Sequence, residues 1–503
     1  MQRRDFVAST LAASAARVLS AQQTVHHDII RLDRRFQVME NFGASDCWSI
    51  QKIGAWSEEN RNRVADLLFS TTRGIGLSCW RFNIGGGINP RITNPWRTAE
   101  TFETAPGQYD WTRQKNERWF LSAARARGVP QFLAFVCSPP GTMTRNGLTF
   151  CDPDSSPTNL KPGFENQYAR YLVDILEHFQ TAEQITFNYI SPINEPQWDW
   201  SGHSQEGMRA DNATVQAITR SLYTELQRRR LPTEIALVES GSLPDMWELN
   251  RKATDKYRVP FGDYIDRFVG DPSFRGLMSG RIGYHSYWSD RIAGKLVEDR
   301  AALGHAMSSY PGWKLWETEY CVMDGPEGKG GRGRDLTMKT ALDVARVMHL
   351  DLTLAGVSAW QWWLAVSEAD YKDGLIYTDW HKPGDAETII PSRLFWTFGN
   401  FSRFIRPGMR RIELKGDGHD VRGLMASAYH DEIGRRVVAV YLNMGTDARR
   451  VSAEFMQAAH RLRPSSMTMY VTSDRAGDEL KPYPAGEAFD VPARSAVTLV
   501  ASL

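Results

Sequence analysis

Short apolar runs alternate with helix-spaced ones over most of this chain. Between Asn41 and Phe398, eight runs of strand length stand out, at 38–44, 75–84, 131–136, 186–193, 235–239, 282–287, 314–319 and 357–363. Helical repeats lie between them: Tyr168, Leu172, Ile175 and Phe179 recur three or four positions apart, as do Val215, Ile218, Leu222 and Leu226. Strand–helix alternation predicts an α/β architecture with a parallel sheet, and eight units favour a closed (β/α)8 TIM barrel over an open doubly wound sheet. The pattern changes after Pro407-Gly408. Short β-like runs at 437–442, 468–472 and 496–500 stand between turn residues with no strong helical repeat, which predicts a side β-sandwich. The expected organisation is a signal peptide over 1–23, N-terminal strands that join the sandwich over 24–40, the catalytic barrel over 41–398 and the β-sandwich over 399–503.

Composition narrows the function. A chain of 503 residues holds a barrel, which takes about 250 residues, together with a smaller module. A formal net charge of +1 gives no electrostatic footing for nucleic acid or an anionic membrane. The 17 tryptophans stand out, because flat apolar faces with an indole N–H suit a sugar-binding cleft as well as a core. Arg3-Arg4-Asp5-Phe6, the Ala-rich run from Val7 to Ala16 and small residues at Ser20-Ala21 resemble a twin-arginine export signal, which predicts a periplasmic or extracellular protein. No later stretch is long and apolar enough to insert in a membrane. The five cysteines, Cys47, Cys79, Cys137, Cys151 and Cys321, form neither a disulfide framework nor a CxxC metal site, although Cys137 and Cys151 flank one loop and could pair.

In such a barrel the chemistry sits at the C-terminal strand ends. The fourth run ends in Asn194-Glu195-Pro196 and the seventh in Glu317-Thr318-Glu319-Tyr320. A half-buried glutamate is costly unless it is paired or functional. Two of them facing across the mouth are what retaining glycoside cleavage needs, one as acid and then base, the other as nucleophile. Glu195 is assigned the acid/base role. For the nucleophile, Glu317 competes with Glu319, because residues two apart on a strand share a face; Glu319 is preferred as nearer the strand end. Other strand ends supply Asp46 and Trp48, Arg81 and Asn83, His285 and Tyr287, and Trp360 to Trp363. Arg81 is suited to hold a carboxylate and Tyr287 to donate to the nucleophile, while His285 reads as a satisfied core histidine. Trp198 and Trp200 are candidates to stack on neighbouring sugars. The run Gly85-Gly86-Gly87 completes no dinucleotide fingerprint. The Gly-rich stretch from Asp324 to Arg334 lacks the Ser or Thr of a phosphate loop, so it reads as a mobile loop over the mouth. Its Lys329, Arg332 and Arg334 are candidates to meet acidic sugars, with a solvated charged loop as the plainer reading.

Taken together, these motifs resemble glycoside hydrolase family 30. The matching pieces are Asn41-Phe-Gly-Ala-Ser-Asp46, Arg81-Phe-Asn-Ile-Gly-Gly-Gly87, Ser138-Pro-Pro140, Asn194-Glu-Pro196, His285-Ser-Tyr287, Thr318-Glu-Tyr320, Phe395-Trp-Thr-Phe-Gly-Asn-Phe-Ser-Arg-Phe-Ile-Arg-Pro407 and Val491-Pro-Ala-Arg-Ser-Ala-Val-Thr498. The resemblance implies a barrel with a side β-sandwich, retention, and no metal or organic cofactor. It also implies Glu195 as acid/base, Glu319 rather than Glu317 as nucleophile, and sugar or nucleophile contacts from Asn194, Tyr287 and Trp363. Asp46, Trp48, Arg81 and Trp198 complete the expected substrate-binding set. Ala44-Ser-Asp-Cys-Trp48 and Ser191-Pro-Ile-Asn-Glu-Pro-Gln-Trp198 look most like endo-β-1,6-galactanases, while Cys137 stands where many relatives have Asn. The expected partner is a polysaccharide or oligosaccharide, and the expected state a monomer. β-1,6-Glucan, glucuronoxylan or a glucosyl lipid on the same machinery, a transglycosylase, and a non-catalytic carbohydrate-binding protein are the competing readings.

Overall fold

The computed structural model describes residues 24–94, 96–379 and 386–503; the expected export signal at 1–23 lies outside them. Eight parallel strand positions form a ring: Asn41–Ser45, Cys79–Asn83, Gln131–Phe135, Tyr189–Ser191, a fifth strand in two pieces (Glu234–Ile235 and Leu237–Ser240), Arg281–His285, Lys314–Tyr320 and Ala359–Ser367. Each pairs with the next, and the eighth pairs with the first. Closure passes through the fifth strand, whose first piece pairs with strand four and whose second pairs with strand six. The fourth strand is shorter than the predicted 186–193 run because Pro192, which has no N–H to donate, ends the ladder.

Helices surround the ring as the periodicity predicts. Tyr168, Leu172, Ile175 and Phe179 form the buried stripe of the helix Glu165–Ala182, and Val215, Ile218, Leu222 and Leu226 that of Asn212–Arg229. Among the described residues no helix is long and apolar enough to cross a membrane.

The side domain is one curled sheet rather than two separate layers. Its hydrogen-bonded path runs through Arg449–Gln457, Val25–Val38, Arg410–Gly416, Leu424–Asp431, Arg436–Asn443, Ser495–Ser502 and Ser466–Ser473. The sheet closes over its own core, which includes Ile30, Ile412, Tyr441, Phe455, Val471 and Val497. Val25–Val38 lies inside this path, parallel to Arg449–Gln457 on one side and antiparallel to Arg410–Gly416 on the other. The helix Arg393–Ser402 runs across the expected boundary at 398 and fastens the two parts. From its buried face the Asn400 amide donates to Tyr470 O and Thr498 Oγ1, both at 3.0 Å.

One open pairing is settled here and one expectation corrected. Cys137 and Cys151 are not bridged; all five cysteines are buried free thiols. The Gly-rich loop is tied down rather than loose over the mouth. Gly325 N–H donates to Asp290, the Arg291 guanidinium pairs with Asp324, and Arg334 reaches Asp379 and the Glu368 and Thr378 carbonyls. At Gly331 a Cβ would lie 1.8 Å from Val322 O, so only glycine allows the loop to pack this closely.

Candidate active site

Five of the eight strand ends converge on one buried network. Beyond Pro192 the chain turns sharply, and Glu195 takes a left-handed φ of 46°. Its N–H donates to Glu239 O at 2.9 Å, which joins the ends of strands four and five. The residue after strand five, Gly241, is where a side chain could not stand: a Cβ there would lie 2.1 Å from Trp198 Nε1 and 2.7 Å from Glu195 Oε1. The missing side chain lets the Glu195 carboxyl and the Trp198 indole lie side by side.

Arg81, fully buried at the end of strand two, organises the rest. Its guanidinium donates to Glu319 Oε2 at 2.5 Å, to Glu239 Oε2 at 2.8 Å and to Asn194 Oδ1 at 3.1 Å, with its plane over the Phe135 ring at 3.7 Å. Tyr287 OH donates to the other oxygen of Glu319 at 2.8 Å. His285 bridges two carboxylates, with Nδ1 2.9 Å from Glu195 Oε1 and Nε2 3.1 Å from Glu239 Oε2. Burial disfavours a charged imidazole, but Glu319, Glu195 and Glu239 outweigh it and push His285 up to about 10. It is the satisfied, buried histidine expected, held as an imidazolium that donates from both nitrogens. Burial also opposes ionisation of Glu239, yet Arg81 and His285 hold that carboxyl down at about 2. Glu195 goes the other way: burial, assisted by the Glu319 charge, raises it above the usual carboxylate range despite the His285 contact.

The expectation that Glu317 shares a face with Glu319 is wrong. The register between strands six and seven slips between the pairs Tyr284/Glu317 and His285/Glu319, and that between strands seven and eight slips beyond Glu317. This bulge leaves Glu317 and Glu319, two apart on the strand, on opposite sides of the barrel wall. Glu317 aligns with Tyr284 and Trp360, whose side chains reach Asp351 in the helical layer. Its own oxygens accept from the Ser286 and Gln361 N–H groups. Glu319 aligns with His285 and faces the mouth.

The cleft above the network encloses about 250 Å³ and is lined by Glu195, Glu319, Tyr287, Asn194, Trp198 and Trp363 from the expected set. Trp200 also lines it and donates from its indole to Glu195 O at 2.9 Å. Asp46, Trp48 and Arg81 stand behind this wall rather than on it. Asp46 accepts from Asn83 N–H at 2.9 Å, and Trp48 supports Trp363 edge to face at 5.3 Å. Lys329, Arg332 and Arg334 do not line the cleft; from the Gly-rich stretch and its approach, only Met323 does.

Sequence reasoning missed Glu239, although a carboxylate at the end of a predicted strand was the signal that should have found it. It also missed Glu206, which lies behind the cleft and accepts from Asn83 Nδ2 at 2.8 Å; burial pushes its carboxyl up to about 7. Cys137, Ser204, Gln205 and Trp288 complete the lining.

Among the described residues, one group could approach a cation: single ligand atoms of Glu195, His285 and Glu319 all lie within 4.8 Å of one another. A metal there would have to displace the proton that His285 holds, so the donor set suits proton transfer better than coordination.

Comparison with known proteins agrees with this architecture. Residues 25–377 match the model of O-glycosyl hydrolase family 30. An endo-β-1,6-galactanase from Hypocrea rufa is 23% identical over 474 residues, which cover 88% of this chain and 86% of that protein. Among solved structures, a conserved exported protein from Bacteroides fragilis superposes with a TM-score of 0.83 at 30% identity, over 95% of this chain and all of that one. The catalytic domain of GH30 xylanase C from Talaromyces cellulolyticus gives 0.68 at 20% identity, over 95% of this chain and 100% of that chain. With its barrel, its side sheet and a family match over most of its length, the chain belongs to glycoside hydrolase family 30.

Proposed function

We propose that this protein is an exported retaining endo-β-1,6-galactanase acting on the side chains of arabinogalactan, with Glu195 as acid/base and Glu319 as nucleophile. The observation that carries the mechanism is the approach of the two carboxylates. One oxygen of Glu195 and one of Glu319 lie within 4.8 Å of each other, which supports the separation of about 5–5.5 Å between carboxyl groups in retaining enzymes over the about 6.5–9.5 Å of an inverting site.

In this reading Glu319 is held by Arg81 and Tyr287 with its carboxylate aimed at the anomeric carbon. As it attacks, the bond from that carbon to the glycosidic oxygen breaks and Glu195 gives its proton to the departing oxygen. Burial keeps that proton on Glu195 above the usual carboxylate range. The second step reverses the roles: Glu195, now a carboxylate, takes a proton from water, whose oxygen attacks the same carbon and releases Glu319. His285 and Glu239 orient Glu195 and Arg81 without touching the sugar.

The galactan assignment rests on likeness to the Hypocrea rufa protein, and export to the periplasm or beyond on Arg3-Arg4 and the run that follows. The test is to incubate the mature protein separately with arabinose-stripped arabinogalactan, β-1,6-glucan and glucuronoxylan and to identify the products. Galactose oligomers from the first alone support the proposal. Products only from another polymer move the substrate and keep the mechanism. For the roles, Glu195→Ala on an activated substrate should be partly rescued by azide, because the missing base limits only the second step. A Glu319→Gln variant with normal turnover would overturn them.

A further inference from the structure

We infer that Trp288, together with Trp198, forms an aromatic platform for the leaving half of the substrate, so that the cleft grips a chain on both sides of the bond it cuts. This inference rests on the glycosidase reading above. Trp288 follows Tyr287 at the end of strand six and is 41% exposed; no other described tryptophan reaches the exposed class. The core therefore does not account for it. Its backbone is left-handed, with φ of 54°, a conformation a bulky residue holds only where its surroundings impose it. Its ring meets that of Trp198 at 5.4 Å and 75°, and that of Tyr287 at 5.6 Å. Both tryptophans line the cleft.

The position of this pair relative to the chemistry gives it a role. The Trp198 indole and the Glu195 carboxyl approach the same side of Gly241. Glu195 serves the departing oxygen, so the wall continuing from it borders the leaving sugar. Trp363, which also lines the cleft, is backed by Trp48 instead. An exposed apolar face beside the proton donor is the surface on which the apolar face of a pyranose ring can rest while its hydroxyls stay in water. Binding energy gained there acts on the reacting centre through a remote part of the substrate, and so appears in turnover as well as in binding.

The experiment compares two substrates of one sugar, galactose or glucose, whichever the wild type cleaves: a β-1,6-linked tetrasaccharide, and the β-fluoride of the corresponding disaccharide. Fluoride leaves without touching any platform. In Trp288→Ala, kcat/KM on the tetrasaccharide should fall roughly tenfold further than on the fluoride, and Trp288→Phe should restore most of the difference. Equal losses on both substrates, or no loss on either, would overturn the inference and leave the glycosidase reading standing. If the wild type cleaves neither substrate and releases nothing from any of the three polymers, the glycosidase reading fails and takes this inference with it; a wild type that cuts only glucuronoxylan is tested with the corresponding xylose tetrasaccharide and disaccharide β-fluoride.

Discussion

Glu206 offers a quantitative test of how the wall behind the cleft is built. Its side chain is fully buried, and the Asn83 amide and Gly86 N–H donate to it. Burial prevails over these donors and moves the carboxyl from 4.5 to about 7. With each pH unit worth about 1.4 kcal/mol, the folded state holds this proton more tightly than the unfolded chain by roughly 3 kcal/mol. The folded value is the higher one. The contribution of Glu206 is therefore fully present below pH 4.5, declines above it, and is gone once the pH has risen through about 7. The perturbation is Glu206→Gln, which cannot titrate. Gln changes the hydrogen bonding and so shifts the whole curve, but this offset is the same at every pH. The difference in unfolding free energy between variant and wild type should therefore change by roughly 3 kcal/mol in favour of the variant from pH 4.5 to 8. Urea unfolding followed by tryptophan fluorescence at half-unit pH steps would measure it. Parallel curves would show that the cage of donors, not burial, sets the ionisation of this group.

Other consequences can be checked singly. Glu239→Gln removes the anion shared by Arg81 and His285; the imidazole should then titrate below about 10 in an NMR pH series, and unfolding should become easier by about 3 kcal/mol. In Gly241→Ala the new Cβ would sit within 2.7 Å of Glu195 Oε1, and the displaced carboxyl should cost on the order of a hundredfold in kcat, with little change in the thermal midpoint. Asn400→Ala leaves Tyr470 O and Thr498 Oγ1 without their shared donor, so stability should fall by about 1–3 kcal/mol in denaturant titrations while kcat stays near wild type.

Much of this arrangement could be read from the sequence, for physical reasons. Periods of two and of three to four residues in the apolar pattern give the strand and helix order of the barrel, because each element buries one face. Asn194-Glu195-Pro196 marks a strand end, because proline stops the ladder. The faces of strand seven could not be read. The bulge beside Thr318 reverses the alternation that made Glu317 and Glu319 look equivalent, and nothing local in Glu-Thr-Glu announces it. His285 was undervalued because its charge arises from Glu195 and Glu239, brought in by strands far away in sequence. The pinning of the Gly-rich loop was hidden for the same reason: its anchors Asp290, Glu368 and Asp379 lie outside it.

The strand Val25–Val38 sits between two strands contributed by the far end of the chain. During synthesis this segment emerges ahead of the barrel and must wait, unpaired, while the barrel is made. Only when Arg449–Gln457 has left the ribosome can both of its edges be covered. The side sheet is thus a clasp that closes late and ties the segment ahead of the barrel to strands that follow it. Contacts of such long sequence separation slow folding and leave an open β edge exposed meanwhile. A chain that lacked Arg449–Gln457 would keep one edge of Val25–Val38 open to pairing with another chain.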